Sequence, residues 1–179
     1  MPRIYPVREQ DVTSDVQQAF EEHVRKYQGR ITNMKATLAH SLAAFEVYMQ
    51  WYVLYEEVKK LLGNRMAPLF AFSISRASDC PLCSTFFRKI IIDSGEQPEN
   101  LQLSEREQEI LSFGAQVSRG RGIIGNDVYD SVRKYFNDRD MVLLIAFAGQ
   151  MIATNIFSNV IETEIDEYLR DYLEPSTTL

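Results

Sequence analysis

The sequence predicts an all-α fold, a bundle of about seven to nine helices, and three observations carry that expectation. Apolar residues recur at helical spacing in segment after segment. Capping residues and glycines punctuate those segments, and no stretch shows sustained period-two alternation between hairpin turns. At 179 residues and 45% apolar, residues 1–179 can form one domain whose core needs no disulfide or metal staple.

Taken in order, Pro2 and Pro6 mark residues 1–13 as an extended arm. Ser14 with Gln17 reads as a capping-box start, and Val16, Phe20, Val24 and Tyr27 carry a first helix over 14–28, ending at Gly29. Residues 33–62 lack proline and stay free of glycine, so they are helical, with a break expected near His40 and Ser41. Ser41 can cap the part that holds Phe45, Trp51, Leu54 and Val58; Gly63 and Asn64 end it. Pro68 is expected in the first turn of a helix over 68–78, because proline has no amide hydrogen to leave unpaired there. Pro81 opens the next helix, with Phe86, Phe87, Ile90 and Ile91, which stops at Gly95. Ser104-Glu105-Arg106-Glu107 is a second capping box, starting a helix to about Ser118. The Arg119–Gly122 loop leads to a short helix over 127–136 and then to a long apolar one. Residues 161–174 hold six acids, Glu162, Glu164, Asp166, Glu167, Asp171 and Glu174, against Arg170 alone. With Ile161, Ile165, Tyr168, Leu169 and Tyr172 at helical spacing, they are expected to form an acidic amphipathic C-terminal helix.

A net charge of −6 with a pI near 5.0 offers no basic field to phosphate backbones, which sets nucleic acid aside as a partner. The opening residues show no secretory pattern, so a cytoplasmic, reducing setting is expected. Met141 to Ile161 is uncharged and long enough to cross a bilayer. Gln150, Thr154, Asn155, Ser158 and Asn159 line one half of that helix, however, which argues for a central bundle helix and no membrane span.

Cys80 and Cys83 are the only cysteines, and Pro81 places them on a helix start. Unpaired amide donors there stabilise a thiolate, and the spacing lets one sulfur attack while the other resolves the adduct as a disulfide. Half a zinc site, buried structural thiols and coincidence are the other readings; no second ligand pair follows, and His23 and His40 lie far upstream. No metal or cofactor is expected.

Asn33-Met34 through His40-Ser41, then Arg76-Ala77-Ser78-Asp79-Cys80-Pro81-Leu82-Cys83, then Leu103 through Phe113, resemble the carboxymuconolactone decarboxylase and alkylhydroperoxidase-D-like family over about residues 30 to 160. The resemblance implies its all-helical fold, a homo-oligomer (trimer or hexamer), and peroxide reduction in which Cys83 attacks and Cys80 resolves. It also implies a hydroperoxide or disulfide substrate and a thioredoxin-like or lipoyl-bearing reductant. The family's proton relay falls here on Pro68 and Phe87, and the residue between the cysteines, often histidine or tyrosine, is Leu82. With the relay lost, Arg76, Glu56, Glu57, His40 and Asp79 stand as substitute auxiliaries, and a weakened peroxidase is expected. Phe87 should also raise the Cys83 thiol by desolvation. The alternative is a relay-less member without catalysis, serving as redox sensor or oligomeric structural protein; lactone decarboxylation fits the cysteine pair least.

Overall fold

The computed structural model describes residues 1–174; residues 175–179, which the expected domain includes, lie outside the described residues. Eight α-helices follow one another: α1 (Ser14–Tyr27), α2 (Asn33–Leu38), α3 (Leu42–Met49), α4 (Trp51–Ala77), α5 (Pro81–Asp93), α6 (Glu105–Arg119), α7 (Asn126–Arg133) and α8 (Asp138–Val160). Among the described residues no strand forms.

Helix α4 is the axis, packed by α5, α6 and α8. Its second half is buried on nearly every side at Ala67, Leu69, Phe70, Ala71 and Ile74. Gly63 divides it, with φ 86° and ψ 163°, a left-handed extended conformation that glycine adopts without steric cost. Pro68 therefore stands inside the second half of α4, beyond the first turn, and is buried; the expected helix over 68–78 starts earlier because Asn64 through Ala67 already follow the break. Gln50 makes a further break between α3 and α4.

The caps are mixed. Ser104 and Glu107 form the capping box, and Ser41 accepts from the Ala44 amide. Thr13, not Ser14, occupies the cap position of α1 and makes no side-chain cap bond.

The C-terminal segment departs from expectation. Glu162 turns left-handed at φ 54°, ending α8, and only Glu167–Tyr172 coil, as a 3-10 helix. Asp166 instead accepts the Asn33 amide at 2.9 Å and Asn33 Nδ2 donates to the Glu164 carbonyl at 3.1 Å. Satisfying the exposed donors at the start of α2 outweighs continuing a helix whose clustered acids have a single basic partner. The arm is pinned alongside, its Arg3 amide on the Ile161 carbonyl and its Val7 amide on the Ala36 carbonyl.

Helix α8 is long and apolar enough to cross a membrane by length and composition. Its inner face, Met141, Leu144, Phe147, Ala148 and Met151, fills the core instead. Its outer face leaves Val142, Ile145, Ile156 and Val160 exposed.

Candidate active site

Helix α5 begins where α4 ends in a tight turn. Asp79 takes φ 49°, the Cys80 amide bonds the Ser75 carbonyl at 3.1 Å, and the polar stripe of α8 locks the turn. Asn159 Nδ2 donates to the carbonyls of Ser78 and Asp79, at 3.0 and 3.2 Å, and Asn155 Nδ2 to Ser78 Oγ at 2.9 Å.

Cys80 is the N-cap of α5, its sulfur accepting the Cys83 amide at 3.4 Å. A cap position usually goes to an oxygen that takes this bond; here a sulfur takes it, so the helix start favours its anion. The Cys80 thiol lies below its ordinary range, first through a hydrogen bond from the Cys83 thiol, then through the Cys83 and Leu82 amides, with burial opposing. Cys83 is pushed well above the ordinary range because it donates that bond and is buried. The pair titrates as a unit, and of the two sulfurs the site favours the anion on Cys80 and the proton on Cys83. Cys83 Sγ also reaches Ser158 Oγ at 4.0 Å.

The two sulfurs differ in access. Cys80 is 1% exposed, Cys83 7%, and Cys83 lines a cleft enclosing about 680 Å³, its open mouth included, whereas Cys80 does not. The walls are aromatic and thioether: Trp51 and Tyr52 from α4, Phe86 and Phe87 from α5, Met49 and Met151 behind them. Phe87 stands edge-on to Phe86 with ring centres 5.1 Å apart. Leu169 and Tyr168 of the C-terminal segment close the cleft from above, Leu169 packing in one cluster with both cysteines.

Polar groups line the same cleft. Lys35, 6% exposed, gives Nζ–H bonds to the Arg30 carbonyl at 2.7 Å and to the Tyr52 hydroxyl at 2.9 Å. Burial lowers its ammonium to about 8, against the pull of Asp166. Asp166 also lines the cleft; burial raises its carboxyl, and its Oδ2 is buried with no partner among the described residues. His23 joins from behind. A Cβ on Gly29 would stand 3.3 Å from His23 Nε2, 3.3 Å from the Tyr52 hydroxyl and 3.4 Å from Lys35 Nζ, so three polar atoms from three helices converge under one glycine.

The structure thus brings Cys80, Cys83, Leu82 and Phe87 together, Leu82 and Phe87 as cleft wall. It places the auxiliaries elsewhere. Arg76 pairs with Glu174 at 3.2 Å, Glu56 with Lys59 at 2.6 Å and Glu57 with Lys60 at 2.6 Å. His40 Nε2 lies 2.9 Å from the Tyr5 carbonyl, and Asp79 is exposed. Lys35, Tyr52 and Asp166 escape sequence reasoning as a site because no spacing links them. Tyr52 belongs to the aromatic row of α3 and α4, Lys35 to a short helix and Asp166 to the acidic tail. Among the described residues no cluster of His, Cys, Asp and Glu could hold a metal ion.

No protein-family model matches the sequence, and no curated protein does. Solved structures do. The debrominase Bmp8 in its apo form superposes with a TM-score of 0.76 at 14% identity, over 94% of this chain and 95% of that one. A cysteine-to-alanine variant of Bmp8, in complex with 2,3,4-tribromopyrrole, gives 0.77 at 13%, over 94% of each chain. An uncharacterized peroxidase-related protein from Silicibacter sp. gives 0.69 at 19%, over 89% and 88%. Another from Ralstonia eutropha, described as an alkylhydroperoxidase AhpD core, gives 0.66 at 15%, over 94% of each. The chain has the all-α alkylhydroperoxidase-D-like fold.

Proposed function

We propose that the protein is a thiol-dependent oxidoreductase that reduces an organic hydroperoxide, with Cys83 attacking and Cys80 resolving. The observation that supports this reading is the division of labour within the pair: Cys83 faces an aromatic cleft while Cys80 is closed off behind it at the helix cap. Cys80, favoured as the anion and hydrogen-bonded by the Cys83 thiol, is placed to take the Cys83 proton when it is a thiolate. On attack, the Cys83 proton passes to Cys80 and the Cys83 sulfur forms an S–O bond as the O–O bond breaks, leaving a sulfenic acid and an alkoxide that takes up a proton to become the alcohol. Cys80 then attacks that sulfur, an S–S bond forms, and water leaves with the Cys80 proton. A thioredoxin-like or lipoyl-bearing dithiol returns the site to its reduced form, and a disulfide of similar bulk is an alternative oxidant.

The apolar, aromatic lining of the cleft favours an organic body over hydrogen peroxide. Its aromatic lining also supports a second reading, reduction of a halogenated aromatic ring by the same dithiol, in line with the fold it shares with Bmp8. That reaction converts a carbon–bromine bond to carbon–hydrogen, releases bromide and leaves the same disulfide. We assign the exposed face of α8 to contacts between copies in a homo-oligomer, trimer or hexamer.

Intact mass of the reduced protein after a short pulse of cumene hydroperoxide, with remaining thiols alkylated, tests the reading. The expected result is loss of two hydrogens per chain in the parent. Cys80→Ser should trap a sulfenic acid and Cys83→Ser should stay unoxidised. Two freely alkylated thiols in the parent would end the peroxidase reading and leave the sensor or structural role; consumption of 2,3,4-tribromopyrrole with release of bromide would instead select dehalogenation.

A further inference from the structure

Pro68 and Phe87 stand where the family resemblance places a proton relay, yet reducing a hydroperoxide leaves an alkoxide that needs a proton. We propose that Lys35 donates that proton and that Asp166 seats the substrate by accepting its hydroperoxyl hydrogen, so that the cleft takes a hydroperoxide with an apolar body and its peroxide end between Lys35 and Cys83. The proposal rests on the hydroperoxide reading above and replaces the missing relay with residues from α2 and the C-terminal segment.

Valence makes the case. An ammonium has three N–H donors, and Lys35 directs two of them to the Arg30 carbonyl and the Tyr52 hydroxyl. The third has no partner among the described residues, although the nitrogen is buried. Asp166 accepts the Asn33 amide on Oδ1 and leaves Oδ2 buried without a donor. A buried charged group with an unused donor, and a carboxylate with an unused acceptor, are each costly unless something binds them. Both residues line the cleft that Cys83 lines, and no ion pair within 4 Å cancels one against the other among the described residues. A hydroperoxide, R–O–O–H, offers the complementary pair: the terminal O–H donates to Asp166 Oδ2 and the inner oxygen accepts from Lys35 Nζ.

The proton count closes. The Cys83 thiolate bonds to the terminal oxygen, the O–O electron pair goes to the inner oxygen, and Lys35 passes it a proton, giving Cys83 sulfenic acid, an alcohol and a neutral amine. Disulfide closure releases water, and Lys35 takes a proton back from solvent. The groups facing Lys35 are His23 from α1, the Arg30 carbonyl, Tyr52 from α4, and Asp166 and Tyr168 from the C-terminal segment. An ammonium lowered to about 8 gives up its proton more readily than a solvated lysine and still carries it at neutral pH.

The test compares two oxidants on one dithiol: cumene hydroperoxide, whose alkoxide needs a proton, and dithiodipyridine, whose leaving thiolate does not. Disulfide formation is followed by stopped-flow in the parent, Lys35→Met and Lys35→Arg. Both variants should oxidise about 10²-fold or more slowly with the hydroperoxide and at the parental rate with the disulfide. Asp166→Asn, which keeps an oxygen for the Asn33 amide, should raise the hydroperoxide concentration at half-maximal rate without changing the disulfide rate. The parental hydroperoxide rate should fall above pH 8, as Lys35 loses its proton, while the disulfide rate does not. Equal slowing with both oxidants would make Lys35 a structural residue and overturn the proposal, as would no slowing with either. Parental speed in Lys35→Arg would overturn proton donation, since guanidinium does not release its proton. A parent that reacts with dithiodipyridine but not with hydroperoxide would defeat the functional reading itself, and the relay with it.

Discussion

His23 is 4% exposed, neither ring nitrogen has a partner among the described residues, and its ring sits among Tyr27, Phe45 and Tyr52. Burial, with Lys35 nearby, lowers it from 6.5 to about 4. The unfolded chain therefore binds a proton between those values that the folded chain refuses, so stability rises with pH across that window and is level above it. Acidification from pH 7 to pH 4 should cost on the order of 3 kcal/mol from this residue alone, seen as a falling urea midpoint; His23→Leu should remove most of that slope. The cysteine pair was readable at this scale, because spacing and a neighbouring proline suffice to place two thiols on a helix start. Lys35 was not. A lysine in a sequence reads as surface, and only the fold shows its stem buried and its head bonded to Tyr52.

Helices α4 and α6 pack tightly at Gly114. A Cβ on Gly114 would lie 2.6 Å from Phe70 Cε2 and 3.0 Å from Ile74 Cγ1, and both side chains are fully buried. Alanine there gains about 1 kcal/mol of helix propensity, but overpacking costs about 1–3 kcal/mol, and rigid aromatic neighbours favour the loss. Gly114→Ala should lower the midpoint of thermal unfolding, measured by circular dichroism, whereas glycine elsewhere in a helix usually responds to alanine with a gain. Most helices were legible because caps and apolar rows are local signals; Ser104 with Glu107 is the clearest. Of the boundaries that were not, two lacked any local signal. The break at Gln50 has no side-chain cap on the following helix and falls within a continuous aromatic row. The acidic tail has helical spacing, but its path is set by Asn33, more than a hundred residues upstream, which no local pattern encodes.

At the scale of the molecule, the outer face of α8 remains uncovered. Val142, Ile145, Ile156 and Val160 are 66%, 43%, 57% and 56% exposed, a row along the whole helix that a lone soluble chain would not be expected to leave in water. If copies associate through it, the parent should elute as a multiple of 20.7 kDa in light-scattering chromatography, and Ile145→Lys with Ile156→Lys should yield the single-chain mass with helicity unchanged. An unaltered mass in the double variant would place the assembly contact elsewhere. The cleft has a consequence in the order of its making. Its walls are drawn from α2, α3, α4, α5 and α8, and the closing piece, Asp166 to Leu169, follows them all in the chain. On a ribosome the cysteines are made well before that piece, so the nascent chain carries both thiols without the Tyr168 and Leu169 side chains that line the finished cleft over Cys83.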